Sequence, residues 1–176
     1  FSMKNIGVRY GLLAAAAVVF YFAILYFVKK ELFLHTGLQW ASMFLYLAFM
    51  YKACLDDCAA HGTNRDFRAI VRIPFIVFLL ANLGYWLFFY GIHLADKSLI
   101  VMELERKVGI LQAQMNEVTD PVTRNDLIKQ INEFKAYMNS PVQPLGPILA
   151  QMAQGAIGGF VLAAGVAWVI RSQKQH

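Results

Sequence analysis

The sequence has few charged residues, and the middle of each long apolar run has none. Charged residues make up 15% of the 176 residues and hydrophobic residues 59%, whereas soluble domains average roughly a quarter and a half. Ion pumps, proton-coupled carriers and intramembrane proteases generally need ionisable groups at membrane depth. The lack of such groups argues against these three classes of protein.

Cysteine is also scarce, and both cysteines lie in one stretch, YKACLDDCAAHGTNRDFRAIVR, at residues 51–72. Cys54, Cys58 and His61 are spaced by four and three residues, which places them on one face of a helix. Cβ atoms four residues apart on a helix are about 5–6 Å apart, too far for a disulfide. A zinc site would need a fourth ligand. We therefore expect no metal site and no cofactor in this stretch.

We interpret the same stretch as the cytoplasmic end of a membrane helix. Gly62 is expected to end the helix, and the two aspartates and His61 are expected to be solvated. The arginines that follow are expected to anchor the next span to the anionic inner leaflet; they are Arg65, Arg68 and Arg72. An alternative is a lipid-linked membrane enzyme in which Asp56, Asp57 and His61 bind a metal and the arginines bind a phosphate.

The apolar residues are concentrated in four runs, each long enough to cross a membrane as a helix. Roughly 20 helical residues are needed to span a hydrocarbon core of about 30 Å. We predict an all-α integral membrane protein, with residues 1–176 as a single membrane domain containing four transmembrane helices. The spans are expected at about residues 10–28, 38–55, 73–93 and 145–170, with Pro74 in the first turn of the third.

The N-terminus is expected to carry no cleaved segment. We interpret Phe1 and Ser2 as residues that precede the natural start at Met3. Lys4 and Arg9 come before an apolar run that is too long for a signal peptide, so the first span should be retained.

Lysine and arginine are distributed unevenly around the spans, and this predicts their orientation. In short loops and tails these residues favour the cytoplasmic side. Eight of them belong to the two tails and to the loop between spans two and three: Lys4, Arg9, Lys52, Arg65, Arg68, Arg72, Arg171 and Lys174. We therefore expect a multi-pass protein of the bacterial inner membrane with both termini in the cytoplasm. The net charge of +5 does not indicate a nucleic-acid partner, because the basic residues are not gathered on one face.

Between spans three and four, residues 96–139 show helical periodicity. Apolar residues repeat at spacings of three and four on two segments, and Asp120 and Pro121 are typical of a helix start. The pattern predicts an extracytoplasmic antiparallel helical hairpin. Its seam consists of Val101, Leu104, Val108, Leu111, Met115, Leu127, Ile131, Phe134 and Met138.

Two arrangements of the start of this hairpin are open. The third span could continue into the hairpin as one stalk, since no proline interrupts the chain there, and we favour this arrangement. Alternatively, Asp96 or Ser98 caps a fresh helix, and the hairpin lies along the lipid interface.

Small residues recur every four positions near the start of the first span and along the last span. They are Gly7, Gly11, Ala15, Gly155, Gly159, Ala163 and Ala167. In lipid, such faces let two helices approach closely, either within one chain or between chains.

Asn82 is a polar residue within the third span, where we expect it to form an interhelical hydrogen bond. An alternative function is an oligomeric channel or transporter. Its pore would be lined by Asn82, Gln151, Gln154 and His93.

Three segments carry a family resemblance: MKNIGVRYGLLAAAA, RDFRAIVRIPFIVFLLANLGYWLFFY, and the polar insert that ends in prolines before GAIGGFVLAAGVAWVIR. They resemble, respectively, the basic start, the entry into span three and the helical insert of a four-pass bacterial inner-membrane family, domain of unknown function 4199. The resemblance covers nearly the whole chain. It implies residence in the cell envelope, and it supplies no activity and no catalytic residues.

Together these patterns favour a non-enzymatic structural or accessory protein of the membrane. We expect it to contact membrane lipid and either to form a homo-oligomer or to dock an envelope protein partner. The hairpin and the small-residue helix faces are the expected contact surfaces.

Overall fold

A computed structural model describes residues 5–142 and 144–173, and these residues form eight helices and no strands. The helices are α1 (Ile6–Val28), α2 (Lys30–Phe33), α3 (Thr36–Ala41), α4 (Met43–His61), α5 (Phe67–Ala95), α6 (Lys97–Glu117), α7 (Pro121–Met138) and α8 (Leu145–Gln173). Lys4 and Lys174, which were counted for the orientation, lie outside the described residues.

The chain divides into two compact units. The first, here called the bundle unit, consists of Phe1–Phe89 together with Leu145–His176. The second, here called the helix-pair unit, consists of Tyr90–Pro144 and contains α6 and α7.

Three helices in the described part of the chain are long and apolar enough to cross a membrane: α1, α5 and α8, with 23, 29 and 29 residues. The bundle unit also exposes many large apolar side chains, among them Leu12, Phe20, Leu87, Ile157, Phe160 and Val161. An apolar outer surface of this extent suits lipid and not water. The all-helical fold is thus confirmed, and the three helices indicate a multi-pass membrane protein.

Helix α1 runs parallel to α5 in the bundle unit. Gly7 lies against Ile73 and Ile76, and further along α1 Gly11 lies against Leu80. Because the contacts advance together along both helices, the two helices point the same way.

Helix α8 runs antiparallel to α5. The side-chain amide of Asn82 donates to the carbonyl of Met152 at 3.4 Å, and the rings of Phe75 and Phe160 meet at 5.5 Å between centroids. Residues nearer the start of α5 contact residues nearer the end of α8, so the two helices point in opposite directions.

One end of the bundle unit collects the start of α1, the end of α4, the start of α5 and the end of α8. The hydroxyl of Tyr10 donates to the carboxylate of Asp56, and that of Tyr51 donates to Gln173 at 3.2 Å. This region, here called the basic end, also carries Arg9, Lys52, Arg65, Arg68, Arg72 and Arg171.

The second predicted span, residues 38–55, is not one uninterrupted helix. It is divided between α3 and α4 at Ser42, whose hydroxyl donates to the carbonyl of Gln39 at 2.6 Å. A serine hydroxyl that bonds back to the preceding turn competes with the helical ladder and bends it. Helix α4 continues past the predicted span to His61, and Gly62 ends it as expected.

The third predicted span begins earlier than expected. Helix α5 starts at Phe67, so that Pro74 lies inside the helix and not in its first turn. Asp66 supplies the start signal, because its carboxylate accepts from the backbone N–H of Arg68 at 3.3 Å.

In the helix-pair unit, α6 and α7 are joined by residues 118–120 and pack against each other. Asp120 caps α7 by accepting from the N–H of Thr123 at 2.9 Å, and Pro121 occupies the first turn. The predicted start of the second helix is confirmed.

The favoured continuous stalk is wrong as a description of the backbone. Helix α5 ends at Ala95 and α6 begins at Lys97, because the carboxylate of Asp96 accepts from both the N–H and the hydroxyl of Ser98. Asp96 is thus the cap of a fresh helix.

Candidate functional site at the basic end

The turn between α4 and α5 is where the chemistry-bearing residues of the chain meet. Gly62 ends α4 as predicted, with φ of 80°, and its N–H donates to the carbonyl of Cys58 at 2.9 Å. A positive φ suits glycine because it has no Cβ. The chain then reverses over residues 62–66 and enters α5.

Asp57 is buried beneath this turn, with 3% of its surface exposed. The guanidinium of Arg65 donates to one carboxylate oxygen of Asp57, and the ring of His61 lies 3.1 Å from the other. Arg65 also donates through Nε to the carbonyl of Gly62 at 3.1 Å. The expectation that both aspartates are solvated is therefore wrong for Asp57.

Arg65 holds the turn to α4 through Asp57 and Gly62. Its pKa is raised above the ordinary value, first by the hydrogen bond to Asp57. Removing one member of such a pair would leave a buried charge without compensation, which is costly. The arrangement stabilises the turn by linking Arg65 to Asp57 of α4, and we call it the Arg65–Asp57 clamp.

Asp56, one residue earlier, takes part in a separate and more exposed set of contacts. Its carboxylate accepts from Lys52 Nζ at 2.8 Å and from the hydroxyl of Tyr10. The hydrogen bond from Lys52, followed by that from Tyr10, holds the pKa of Asp56 below its ordinary value. These contacts join α4 to α1.

The two cysteines lie inside the bundle and not on a reactive surface. Cys54 and Cys58 are free and buried, at 0% and 2% exposed. Within residues 5–142 and 144–173, no group of three or more His, Cys, Asp or Glu side chains is placed to hold a metal ion. For the alternative of a metal-dependent enzyme, Asp57 is poorly placed, because each of its carboxylate oxygens already has a partner.

The residues proposed to line a pore differ in their burial and contacts, which the pore hypothesis does not predict. Asn82 is buried and bonded to α8 through Met152, while Gln151 and Gln154 are exposed. His93, in the helix-pair unit, is fully buried, and its Nε2 lies 3.4 Å from a carboxylate oxygen of Glu103.

The small-residue faces pack within the chain. A methyl group at Gly11 would come within 2.6 Å of Leu80, and one at Gly84 would come within 2.8 Å of Ala15. On α8, Gly155 faces Asn82, Gly159 lies on the ring of Phe78, and Ala163 and Ala167 are buried. These faces hold α1 and α8 against α5.

The predicted seam residues are the least exposed side chains over most of α6 and α7. Leu104, Val108 and Ile131 are buried, and the partly buried members are Val101, Leu111, Met115, Leu127, Phe134 and Met138. The intervening charged and amide side chains are exposed from Glu105 onward.

No family model, no curated protein and no solved structure matches the chain.

Sequence reasoning missed three contacts at the basic end and in the bundle. They are Tyr10 with Asp56, Asp57 with Arg65, and Phe78 beneath Gly159. Only the second had a local signal, since opposite charges flank a helix-ending glycine. The other two join distant parts of the chain, and no spacing indicates them.

Proposed function

We propose that this protein is a non-enzymatic accessory protein of the bacterial inner membrane that docks another envelope protein through α6 and α7. In this proposal α1, α3 with α4, α5 and α8 make four crossings, and both termini are cytoplasmic. Helices α6 and α7 form an extracytoplasmic antiparallel hairpin. We also propose membership of the four-pass family that the sequence resembles.

The topology is supported by the directions of the helices in the bundle unit. The start of α1, the end of α4, the start of α5 and the end of α8 share the basic end, as four successive crossings require. The positive-inside rule assigns an end rich in lysine and arginine to the cytoplasm.

The docking role is supported by the apolar surface that the described helices leave exposed. The small-residue faces are occupied within the bundle, so they are poor candidates for contacts between chains. By contrast, α6, α7 and the segment after α7 leave apolar side chains exposed although their seam is closed: Ile110, Val122, Ile128, Tyr137 and Val142. These apolar side chains lie outside the seam and are exposed on a short helix pair. This observation is the main support for the docking role.

The alternatives receive less support from the described residues. A pore through the bundle would need polar side chains to face one another, but Gln151 and Gln154 are exposed and Asn82 is bonded to Met152. An enzyme at the cytoplasmic turn would need a reactive carboxylate, but Asp57 is held by Arg65 and His61.

Photo-crosslinking in living cells tests the docking role. We expect benzoylphenylalanine at Ile128, which is 40% exposed, to give one discrete crosslinked product, whose partner mass spectrometry identifies. The same probe at Gln130, an exposed polar position on α7, is the matched control and should give little product.

The products distinguish the possible partners. A crosslink to a different envelope protein supports the proposal, and a crosslink to a second copy of the chain shows a homo-oligomer instead. Equal, diffuse labelling from both positions would contradict docking on this surface.

A further inference from the structure

A cleft of about 430 Å³ lies at the basic end, between the first turn of α5 and the last turns of α8. It is lined by Phe67, Trp168, Arg171 and Ser172. The side chain of Trp168 is largely exposed, while Arg171 and Ser172 are half-buried. The cleft thus combines two aromatic side chains with one guanidinium that keeps its charge at every physiological pH.

Arg171 differs from two other basic residues of this end in its surroundings. Lys52 pairs with Asp56 and Arg65 pairs with Asp57, whereas no ion pair involving Arg171 occurs among residues 5–142 and 144–173. A half-buried cation that has no carboxylate partner in the described part of the chain favours binding of an external anion.

The donors in the cleft favour a particular anion. The hydroxyl of Ser172 donates to the carbonyl of Val169 at 2.8 Å, so the side-chain donors left for a ligand are the indole N–H of Trp168 and the guanidinium of Arg171. The planar fork of the guanidinium matches two oxygens of a phosphate group. Arg68 and Arg72 are exposed on the nearby part of α5 and add to the positive potential of this end.

The position of the cleft along the helices matches the level of the lipid headgroups. Gly159 is the middle residue of α8 and lies on Phe78 of α5. At 1.5 Å per residue, Arg171 is about 18 Å from that middle and Phe67 about 17 Å from Phe78. Half of a hydrocarbon core is about 15 Å, so with the bilayer centred on this contact both residues lie just beyond the core, where tryptophan is also enriched.

We propose that this cleft binds the phosphate group of an anionic phospholipid. Arg171 holds the phosphate oxygens, and Phe67 and Trp168 contact the glycerol and the first methylenes of the acyl chains. Free inorganic phosphate offers the same oxygens, but the aromatic walls of the cleft favour a lipid. The inference rests on the membrane location of the bundle unit, and it does not depend on docking through α6 and α7.

Native mass spectrometry of the full chain, delipidated in a neutral detergent, tests the proposal. Phosphatidylglycerol and phosphatidylcholine are titrated separately, and the wild type is expected to bind the former more tightly. Arg171→Gln should weaken phosphatidylglycerol binding about tenfold, as expected for loss of a charge-assisted hydrogen-bonded contact. Arg171→Lys, which keeps the charge but not the fork, should retain part of the affinity.

Arg124→Gln is the matched control, because it removes one positive charge from an exposed position on α7. It should bind phosphatidylglycerol as the wild type does, and circular dichroism should show the same helicity for all variants. Equal affinity of the wild type and Arg171→Gln would overturn the proposal.

Competition with inorganic phosphate separates the two sources of the ligand. Retention of phosphatidylglycerol in 10-fold excess phosphate supports a lipid site, and displacement overturns it in favour of free phosphate. Crosslinking from Ile128 should be unchanged in Arg171→Gln, so a failure of this inference is distinguishable from a failure of the docking proposal.

Discussion

In the bundle unit, α1 and α8 pack on α5 at glycines, beside large buried side chains such as Phe22, which lies against Tyr85, whereas in the helix-pair unit the helices meet at large aliphatic side chains. Gly11 and Gly159 lie directly on Leu80 and Phe78 of α5, while Leu104, Val108 and Ile131 are buried in α6 and α7. The outer surfaces also differ, since the bundle unit exposes phenylalanine and leucine and the helix pair exposes mainly charged and amide side chains.

The difference is the one expected for the proposed function, in which lipid surrounds the bundle unit and water surrounds the helix pair. Lipid tails are as apolar as leucine, so burying a large aliphatic residue gains little there, and helices associate through close packing of small surfaces. Water favours burial of apolar area by about 25 cal/mol per Å², so a seam of large residues holds a helix pair in water. The two units therefore should respond differently to changes of side-chain volume.

The largest effect is expected from Gly159→Leu. Any side chain at this position would overlap the ring of Phe78, which is itself 5% exposed and packed against Tyr46. Overpacking of this kind costs about 3 kcal/mol or more, and the loss should appear as a lower thermal unfolding temperature in detergent. The helix-pair unit should be unaffected.

Gly158→Leu is the matched control for this change. A Cβ at Gly158 would meet no atom of a neighbouring helix within 4 Å, and the position is exposed. Because leucine favours a helix more than glycine does, equal destabilisation by the two leucines would show that contact with Phe78 is not the cause.

A smaller and spatially separate effect is expected from Ile131→Ala in α7. Ile131 is 6% exposed, and truncating a buried isoleucine to alanine costs about 2 kcal/mol or more. Hydrogen exchange read by mass spectrometry should speed up in peptides of α6 and α7 and stay slow in peptides of α1, α4 and α8.

Ile128→Ala, at a position that is 40% exposed, removes the same atoms without opening the seam and should leave the exchange rates nearly unchanged. If Ile131→Ala instead loosened the bundle unit to the same degree, the two units would not be independent, and the comparison between them would fail.

The smallest effect is a pH dependence confined to the helix-pair unit. Hydrogen bonds from the side chain and then the backbone of Thr123 hold the pKa of Asp120 below its ordinary value. A lowered pKa in the folded chain means that the cap stabilises α7 above the unfolded value of about 3.9. That contribution is lost as the pH falls below this value and through the lower pKa of the folded state.

The amide signal of Thr123 reports this titration directly. The chain has four threonines, so ¹⁵N-threonine labelling gives a simple NMR spectrum in which the midpoint should fall below the ordinary aspartate value. Asp120→Asn keeps a good N-cap without a titrating group and should abolish the shift. A midpoint at or above the ordinary value would contradict the cap contact.

Helix ends marked by local residues were the most predictable part of the fold. Asp120 and Pro121 begin α7, and Gly62 ends α4, each at the expected position. The boundaries that failed involve competing local signals. Asp66 starts α5 before Pro74, and the back-bonded hydroxyl of Ser42 interrupts the second predicted span.

The candidate site was less predictable, because its contacts join separate helices. His61 and Asp57 are close in sequence, but the burial of Asp57 depends on the return of the chain through Gly62 to Arg65. The cleft of Phe67, Trp168 and Arg171 joins residues from the start of α5 and the end of α8.

The sequence by itself determined that the chain is helical, that long apolar helices belong to a membrane, and that α6 and α7 each carry one apolar stripe. These properties depend on residues within one or two turns of each other, through caps and the helical repeat. Only the tertiary structure decided that Gly159 faces Phe78, that Arg65 clamps Asp57 and that Arg171 shares a cleft with Phe67. A uniformly apolar helix in lipid has no polar face to show which side meets its neighbour, so steric fit between distant segments makes that choice.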